Sequence, residues 1–303
     1  MRKIHIVIAV FKRLDLTKAC LNSLANQTYC NFKVIIVDHC EEDVETGNYV
    51  STLDERFVLL KGINSMWWTE ATNHGIRHVL NQIDINLEND FVLTLNNDLT
   101  VKDNYLEELL KTYTKYQPCI VGSVSVDSEE ENKIDFAGCK WNKITTRMPD
   151  LFHKRTKYSD IQKMEIIETD LLPGRGMLIP LNVFTEIGMF DTDLFPHYVS
   201  DYDFSYSAFK AGFRLLINPR AVVSSIVKES GDRFDKESLV KPSLKFFFET
   251  QKNIKSPINI TNRWNWAQKH VRFSLIYFMI DSLRILVSYS VYSMKFYIRK
   301  LKN

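Results

Sequence analysis

The sequence contains the run Phe32-Lys33-Val34-Ile35-Ile36-Val37-Asp38, an almost continuous apolar segment that ends on an acid. Similar runs lie at Ile4–Val10, Phe57–Lys61 and Asp90–Leu95. Short runs rich in Val, Ile and Leu are typical of strands that are covered on both faces of a parallel sheet. The first third of the chain therefore predicts four such strands.

Helical patterns separate these predicted strands. Leu14–Gln27, Thr69–Ile83 and Asp103–Tyr116 carry apolar residues at steps of three and four, which is the spacing of one helix face. Alternating strands and helices predict an α/β fold with a doubly wound, mainly parallel sheet. Further along, Cys119–Val126 predicts another strand, and the polar, basic segment Asn142–Ser159 predicts a mobile loop.

The composition is that of a folded protein with an uneven distribution of charge. Of the 303 residues, 45% are hydrophobic and 25% are charged, which excludes a disordered chain, and the net charge is +2. Residues 252–303 hold ten basic residues and a single acid, whereas the rest of the chain is acidic overall. This distribution predicts that the tail faces an anionic partner.

The cysteines and the first residues indicate a cytoplasmic protein. The five cysteines form no CxxC pair and are odd in number, which argues against a disulfide framework or a zinc site. The apolar run after Met1-Arg2-Lys3 is too short to span a membrane, and it leads into Lys12-Arg13 without a cleavage site for a secretion signal.

Two acids follow predicted strands: Asp38, and Asp98 in Leu95-Asn96-Asn97-Asp98. In open parallel sheets, ligands bind beyond the carboxyl ends of the strands. A carboxylate at Asp38 can accept the N–H of a pyrimidine base, and one at Asp98 suits a hard cation such as Mg²⁺ or Mn²⁺. The structural alternatives are a helix cap or turn residue at Asp38 and an ordinary β-turn at Asp98.

Two later motifs also suit an active site. Glycines flank Arg175 in Gly174-Arg175-Gly176, so the backbone can approach a ligand and the guanidinium can reach an anion or sugar hydroxyls. Asp201 and Asp203 lie at the start of a predicted helix, where the helix dipole stabilises an acid. A structural β-turn and a helix cap are the alternatives for these two motifs.

Taken together, the order of the motifs resembles the large family two of inverting glycosyltransferases, and in particular the bacterial surface-polysaccharide enzymes of the rhamnosyltransferase-like group. The resemblance covers roughly residues 3–231. The motifs that carry it are, in order, Ile6–Arg13, Asn26-Gln27-Thr28, Val34–Asp38, Trp67-Trp68, Asn73-His74-Gly75-Ile76, Leu95–Asp98, Gly174–Gly176, Gly188–Asp191 and Asp201–Phe204. The resemblance implies the GT-A fold of nucleotide-diphospho-sugar transferases.

The resemblance also implies a role for each matched position. The nucleotide would be held by Ala9, Val10, Phe11, Asp38, Asn73 and Asn97, with Asp38 on the base. Asp98 would bind the metal, and Asp201 would be the catalytic base near the acceptor. The substrate would be contacted by Trp68, Gly174, Arg175, Gly176 and His197, while Trp67 and Trp68 form either a sugar-stacking platform or ordinary packing.

Two positions depart from the pattern of the family. Many relatives have an Arg before the residue that matches Asn73, where this chain has Thr72. Relatives also carry a metal-binding His shortly after the last strand, and Ala221–Val227 contains none. A Mg²⁺ or Mn²⁺ ion would then be held by Asp98, diphosphate and water, with His197 as a conceivable extra ligand, or metal dependence would be weakened.

The tail beyond Trp264 is rich in aromatic and aliphatic residues. Asp281 and Arg284 interrupt its apolar stretch before it reaches the length of a membrane span. The pattern predicts a helix that lies in the membrane interface, and a division into a catalytic domain, 1–256, and a helical tail, 257–303. The alternative is a helix packed on the catalytic body or on a second subunit. Nucleic acid is not an expected partner, because no binding signature accompanies the cations.

The sequence therefore predicts an inverting hexosyl- or deoxyhexosyltransferase at the inner face of the plasma membrane. It would use a UDP- or dTDP-sugar and a glycan or lipid-linked acceptor in cell-surface polysaccharide synthesis. A sugar-1-phosphate nucleotidyltransferase is the first rival, although Ala9–Arg13 lacks the glycine-rich loop of those enzymes. A non-catalytic module that binds sugar nucleotide or scaffolds an assembly is the second.

Overall fold

A central sheet organises the computed structural model, which describes residues 2–225 and 241–302. The ten strands of this part of the chain are β1 Ile4–Val10, β2 Phe32–Asp38, β3 Phe57–Lys61, β4 Phe91–Asn96, β5 Leu99–Val101, β6 Cys119–Asp127, β7 Ile134–Phe136, β8 Ile167–Glu168, β9 Met177–Pro180 and β10 Arg214–Ser225. The four strands predicted in the first third of the chain are β1 to β4, within one residue at each end.

Helices connect and cover these strands. They are α1 Leu14–Ala25, α2 Glu45–Val50, α3 Trp68–Leu80, α4 Tyr105–Tyr116, α5 Tyr158–Ile161, α6 Leu181–Ile187, α7 Ser200–Lys210, α8 Leu244–Lys252, α9 Ile260–His270 and α10 Ser274–Lys302. The three helices predicted between strands correspond to α1, α3 and α4. Helix α1 ends two residues before its apolar pattern, α3 begins one residue earlier and ends three residues earlier, and α4 begins two residues later.

The sheet is mostly parallel and has its switch point beside β1. Its strand order is β3-β2-β1-β4-β9-β6-β10-β5, with β7 beside β6 and β8 beside β10. The pairs β1–β2, β2–β3, β1–β4 and β6–β10 are parallel, whereas the short β9 is antiparallel to both of its neighbours. The chain builds outward from β1 to β3 and then returns to the other side of β1 with β4, so ligands are expected at the carboxyl ends of β1 and β4.

Both faces of the sheet are buried, which explains the continuous apolar runs. Successive side chains of a strand point to opposite faces. Ile4, Ile6 and Ile8 accordingly belong to one buried cluster, while Val7 belongs to the cluster on the other face. The predicted mixed α/β fold with a doubly wound, mainly parallel sheet and a C-terminal helix is confirmed.

The predicted division into 1–256 and 257–303 stays a prediction, while side chains of the tail pack against the body that contains the sheet. Trp266 and Ala267 of α9 and Tyr277 of α10 are buried in the same cluster as residues of the sheet. The ring of Trp266 lies 4.9 Å from that of Trp141, and the indole N–H of Trp141 donates to the hydroxyl of Tyr277 at 3.0 Å. Burial of large aromatic side chains contributes about 2–3 kcal/mol each, so these contacts hold α9 and α10 against the body that contains the sheet.

The segment predicted as a mobile loop, Asn142–Ser159, also packs on the tail. Thr146 is buried, and its hydroxyl donates to the carboxylate of Asp281 at 2.9 Å. The segment contains little regular structure, apart from the start of α5 and three isolated bridges. It is held in place by a contact between residues that are 135 positions apart, which a local pattern of polar residues does not reveal.

Candidate active site

The carboxyl ends of β1 and β2 form an edge with aromatic side chains. Phe11, which directly follows β1, is 45% exposed, and its ring centroid lies 5.1 Å from that of His39, which follows β2. Val10 and Asp38 are partners across the two strands, and Ala9 is the partner of Asn96 in β4. The structure thus brings Ala9, Val10, Phe11 and Asp38 to one edge of the sheet.

The carboxylate of Asp38 is buried and already paired. Its Oδ2 accepts a hydrogen bond from Nζ of Lys61 at 2.6 Å, and its Oδ1 accepts one from the backbone N–H of Cys40 at 3.2 Å. The side chain of Asp38 is 0% exposed, whereas that of Lys61 is 50% exposed. The ammonium offsets the cost of burying the acid, so the predicted contact with a base requires Lys61 to move.

The turn that follows β4 presents one acid. The indole N–H of Trp68 donates to Oδ1 of Asn96 at 3.1 Å, and Nδ2 of Asn97 donates to the hydroxyl of Thr17 at 2.9 Å. These two bonds orient both amides. The neighbouring Asp98 is 23% exposed, and its carboxylate lies 3.7 Å from the guanidinium of Arg13.

Asp98 fits a divalent cation as a single ligand. Within residues 2–225 and 241–302, no cluster of three or more His, Cys, Asp or Glu side chains could hold a metal ion. His197 belongs to no such cluster within these residues, and its ring lies 5.5 Å from that of Trp67 and 5.0 Å from that of Tyr198. Mg²⁺ and Mn²⁺ accept oxygen ligands from substrate phosphates and water, so Asp98 suits a cation that binds together with a diphosphate.

A cavity of about 640 Å³ adjoins the end of β4. Five of the predicted site residues line it: Trp68, Gly174, Arg175, His197 and Asp201. Asn96 lines it as well, so the cavity reaches the edge of the sheet at which the predicted nucleotide residues lie. A ligand at the strand ends and a second ligand in the cavity would therefore be neighbours.

Asp201 lies in the first turn of α7 and faces this cavity. Its Oδ2 accepts from the backbone N–H of Gly174 at 2.8 Å, and its Oδ1 accepts from the backbone N–H of Tyr202 at 2.9 Å. Burial raises the pKa of the Asp201 carboxyl above its ordinary value, although the bond from Gly174 acts in the opposite direction. An oriented carboxylate with a raised pKa is suited to accept a proton.

Gly174 lets the indole of Trp68 pack against the turn that holds Asp201. A Cβ atom at this position would lie 2.5 Å from two ring carbons of Trp68 and 3.5 Å from Cβ of Asp201. The ring of Trp68 meets that of Phe190 edge-on, with 5.6 Å between the centroids. The glycine is therefore required by a close approach of two side chains to the backbone.

Two predicted contact residues make structural contacts of their own. Both polar groups of the Asn73 side chain bond to the backbone of Phe190, at 2.8 Å and 3.2 Å, so Asn73 positions the residue whose ring packs against Trp68. Contact of Asn73 with a nucleotide stays a prediction. Gly176 is buried with a φ of 86°, and a Cβ atom there would lie 2.5 Å from the hydroxyl of Ser123. It shapes the backbone before β9 and is not part of the cavity lining.

Asp203 faces away from the cavity and binds the tail. It is buried, and its carboxylate accepts from Nζ of Lys269 at 2.9 Å and lies 2.7 Å from Nε2 of His270. Burial lowers the pKa of His270, while Asp203 acts in the opposite direction. The structure thus places the two acids of this motif on different sides of α7.

Sequence analysis missed one wall of the cavity entirely. This wall includes Thr146, Arg147, Asn262, Arg263, Asp281 and Arg284. The one available signal was Asp281, which is the single acid among the ten bases of residues 252–303. An isolated acid in a basic, apolar helix indicates a buried partner, because an unpaired buried charge is costly.

Comparisons with known proteins place the chain among glycosyltransferases. Among curated proteins, Glycosyltransferase GlyA of Streptococcus pneumoniae serotype 4 (strain ATCC BAA-334 / TIGR4) is 26% identical over 137 residues, which are 44% of this chain and 18% of that protein. Putative glycosyltransferase EpsH of Bacillus subtilis (strain 168) is 22% identical over 132 residues, 43% of this chain and 36% of that protein. The chain thus matches well under half the length of either relative.

A solved structure supports the fold, and a sequence model of a protein family shows the family of the chain. The crystal structure of GalNAc-T7 with UDP, GalNAc and Mn²⁺ matches with a TM-score of 0.60 and 12% identity, over 88% of this chain and 50% of that one. The sequence model of Glycosyl transferase family 2 matches residues 5–172, which is more than half of the chain. The chain therefore belongs to glycosyl transferase family 2.

Proposed function

We propose that the chain is an inverting glycosyltransferase that moves a sugar from a nucleotide-diphosphate donor to a hydroxyl of a glycan or lipid-linked acceptor. One observation carries the proposal: Asp201, held by Gly174, faces the same cavity as Asn96 at the end of β4. A donor at the strand ends and an acceptor in the cavity would meet beside one oriented carboxylate. Ligands of open α/β sheets bind at this edge, next to the switch point.

The reaction that fits this site is a single in-line displacement. Asp201 accepts the proton of the acceptor hydroxyl while the hydroxyl oxygen attacks the anomeric carbon. The bond between that carbon and the diphosphate oxygen breaks, and the nucleoside diphosphate leaves with the electron pair. Attack and departure occur on opposite faces of the sugar, so the anomeric configuration inverts.

The strand ends suit a pyrimidine nucleotide. Phe11 and His39 offer aromatic surface to a base, and Asp38 offers an acceptor for the N–H of uracil or thymine once Lys61 turns away. The structurally similar GalNAc-T7 chain is described with UDP and GalNAc. These features support a UDP- or dTDP-linked hexose or deoxyhexose as the donor.

Asp98 is the residue that would hold a divalent cation, Mg²⁺ or Mn²⁺, with the donor diphosphate. Such a cation, when bound, offsets the charge that develops on the departing diphosphate. Arg13 lies 3.7 Å from the carboxylate of Asp98 and would add a second positive charge near the same phosphates. The presence of Mn²⁺ in the GalNAc-T7 structure supports this assignment.

Release of free nucleoside diphosphate tests the proposed reaction. The purified chain is mixed with UDP- and dTDP-linked hexoses and deoxyhexoses, Mn²⁺ and a lipid extract that contains acceptors. Acceptor-dependent release, with a product of inverted anomeric configuration by NMR, is expected. Donor binding without release would contradict the proposal and favour a non-catalytic sugar-nucleotide-binding protein. Release of inorganic pyrophosphate from a nucleoside triphosphate and a sugar 1-phosphate would favour a nucleotidyltransferase.

We also propose that α10 attaches the chain to the inner face of the plasma membrane, where acceptors for cell-surface polysaccharide are made. Exposed apolar residues run along this helix and the residue before it: Phe273, Leu275, Ile276, Met279, Ile280, Leu283, Leu286, Val287, Val291, Met294, Tyr297 and Ile298. The ten basic residues of 252–303, five of which belong to α10, complement an anionic lipid surface.

The contacts of α10 favour a helix that lies on the membrane over one that crosses it. Of the described helices, α10 alone is long and apolar enough to span a membrane, with residues 274–300 meeting that test. Yet Tyr277, Asp281, Ile285 and Tyr289 are all buried. Their spacing of four residues places them on one face, which packs against the body over about three turns. The opposite face is the one that remains for lipid.

Vesicle binding tests this attachment. The chain should co-sediment with phosphatidylglycerol vesicles more than with phosphatidylcholine vesicles, and high salt should weaken the binding. A double change, Leu283→Ser with Val287→Ser, should release the chain, whereas Ile83→Ser, at an exposed apolar residue far from α10 in sequence, should not. Equal binding of both variants would contradict the attachment through α10.

A further inference from the structure

Two arginines from the tail helices form part of the wall of the cavity at Asp201. Arg263 of α9 and Arg284 of α10 both line the cavity, and both bond to the buried carboxylate of Asp281. The hydroxyl of Thr146 donates to Asp281 at 2.9 Å and accepts from Nε of Arg284 at 3.0 Å. These bonds fix the arginine cluster, defined as Arg263, Asp281 and Arg284, relative to the rest of the cavity.

The cavity carries an excess of positive charge. In the arginine cluster, two guanidinium groups surround one carboxylate. Arg147 and Arg175 line the same cavity, in which Asp201 is the second acid of the lining. A partly enclosed space with four guanidinium groups and two carboxylates concentrates anions, because its walls screen charge less than water does.

Arg284 and Arg147 have donors that can reach a ligand. In Arg284, Nε and Nη2 bond to Thr146 and Asp281, and Nη1 bonds to no side chain or backbone group of residues 2–225 and 241–302. Its side chain is 29% exposed, compared with 9% for Arg263. Arg147 is exposed and forms no ion pair within the same residues. The planar guanidinium pairs well with the oxygens of a phosphate.

We propose that Arg284 and Arg147 bind a phosphate group of the acceptor. The inference rests on the proposed glycosyl transfer, because it names the class of acceptor molecule that the cavity takes. Arg175 directly follows Gly174, whose backbone N–H bonds to Asp201. Arg284 and Arg147 belong instead to the wall of the cavity that also includes Thr146 and Asp281. The phosphate is anchored at this wall while a hydroxyl of the same molecule meets Asp201.

The surface beside Arg284 identifies the phosphate as that of a lipid. Ile280 and Val287 lie four residues before and three residues after Arg284 on α10, and both are exposed, as is Leu283. Residues three and four apart share one face of a helix. An alkyl chain on the phosphate would cover these apolar side chains, whereas a soluble sugar phosphate would leave them in water.

Binding of small phosphates to the full chain, without donor, tests the proposal. The probes are octyl phosphate, octyl glucoside, glucose 1-phosphate and inorganic phosphate, and their affinities are measured by calorimetry. The two octyl compounds are kept below their critical micelle concentrations. Octyl phosphate should bind most tightly, and Arg284→Gln and Arg147→Gln should each weaken it by about tenfold, the worth of one charge-assisted hydrogen bond. Arg272→Gln, at an exposed tail residue outside the cavity lining, serves as the matched control and should leave binding unchanged.

The outcomes distinguish a phosphate site, a lipid as the source of the phosphate, and the proposed glycosyl transfer. Glucose 1-phosphate binding as tightly as octyl phosphate would keep the phosphate site and overturn its assignment to a lipid. Octyl glucoside binding as tightly as octyl phosphate would overturn the phosphate site. So would unchanged binding in Arg147→Gln, an exposed position at which loss of folding is not expected. A chain that binds octyl phosphate but transfers no sugar would contradict the proposed function alone, since no donor enters this assay.

Discussion

The backbone N–H of Gly174 donates a hydrogen bond of 2.8 Å to Oδ2 of Asp201, which ties the turn before β9 to the first turn of α7. The same glycine lies against the indole of Trp68, with no room for a Cβ atom. One backbone position therefore orients the proposed base and supports the aromatic wall of the cavity. The orientation of the Asp201 carboxylate therefore depends on the turn at Gly174.

Gly174→Ala should lower turnover by about 100-fold. The added Cβ would lie 2.5 Å from the Trp68 ring, so the turn must shift, and a displacement of about 1 Å at an active site costs roughly that factor. Release of nucleoside diphosphate measures the effect, and circular dichroism checks the fold. Gly47→Ala on α2, where the added atom meets only a Leu59 methyl group at 3.3 Å, is the control. Equal turnover in the two variants would refute the positioning role of Gly174.

Asp203→Asn should reduce the free energy of unfolding by about 1–3 kcal/mol. Asp203 is buried against Lys269 and His270 of α9, and the variant weakens two charge-assisted hydrogen bonds, while Lys269 keeps its ion pair with Asp191. Urea unfolding measures the change, with Asp193→Asn, an exposed acid of the same region, as the control. If Asp203→Asn unfolds at the urea concentration of the wild type, then this contact does not hold the tail on α7.

Much of the fold could be predicted because its strands are buried on both faces. Val34–Val37 and Ile6–Ile8 are continuous apolar runs for that reason, and their boundaries follow from the polar residues after them. Asp38, Asp98 and Asp201 could be singled out because each follows or begins such an element. The sequence did not show that the carboxylate of Asp38 forms an ion pair with Lys61, the residue opposite it on β3.

The rest of the site depends on contacts between distant parts of the chain. Thr146 bonds to Asp281 across 135 positions, and Asn73 bonds to Phe190 across 117. Neither contact leaves a periodic signal, so the sequence pattern reveals neither the packing of the tail on the body nor the two backbone bonds of Asn73. An amide that carries two backbone bonds cannot be distinguished by residue type from one that faces a ligand.

Stability should fall as the solution becomes acidic, and His5 should account for a measurable part of the loss. Burial and the nearby Lys3 lower the pKa of His5 to about 4, compared with about 6.5 in an unfolded chain. Below about pH 6.5 the unfolded chain therefore binds a proton that the folded chain does not, until about pH 4. Between pH 7 and pH 5 this difference is worth roughly 2 kcal/mol.

Thermal or urea unfolding of His5→Phe at several pH values isolates this contribution. Neither ring nitrogen of His5 has a hydrogen-bond partner among residues 2–225 and 241–302, so the apolar ring replaces the imidazole without breaking a bond there. The variant should lose less stability than the wild type between pH 7 and pH 5. Parallel stability profiles for the two proteins would show that His5 does not bind a proton on unfolding in this range.

Asp98→Asn should weaken Mn²⁺-dependent binding of the nucleotide by about tenfold or more while leaving the fold intact. Asp98 is the partly exposed acid at the end of β4, and loss of its charge removes the protein ligand of the cation. Calorimetric titration of UDP with Mn²⁺ and with EDTA measures the effect, and Glu88→Gln at an exposed acid is the control. Equal affinity with and without EDTA in the wild type would contradict a metal role for Asp98.

The most direct test of the account is the turnover of Asp201→Asn, measured under single-turnover conditions with saturating donor and acceptor. Loss of a general base typically costs about 10²–10⁴-fold in rate. The single carbonyl oxygen of the amide can keep the bond from the N–H of Gly174 while the bond from the N–H of Tyr202 is lost, so the turn should hold and the binding of donor should be nearly unchanged. The account predicts turnover that is 10²–10⁴-fold lower with donor affinity within about twofold of the wild type. Near-normal turnover in Asp201→Asn would contradict it.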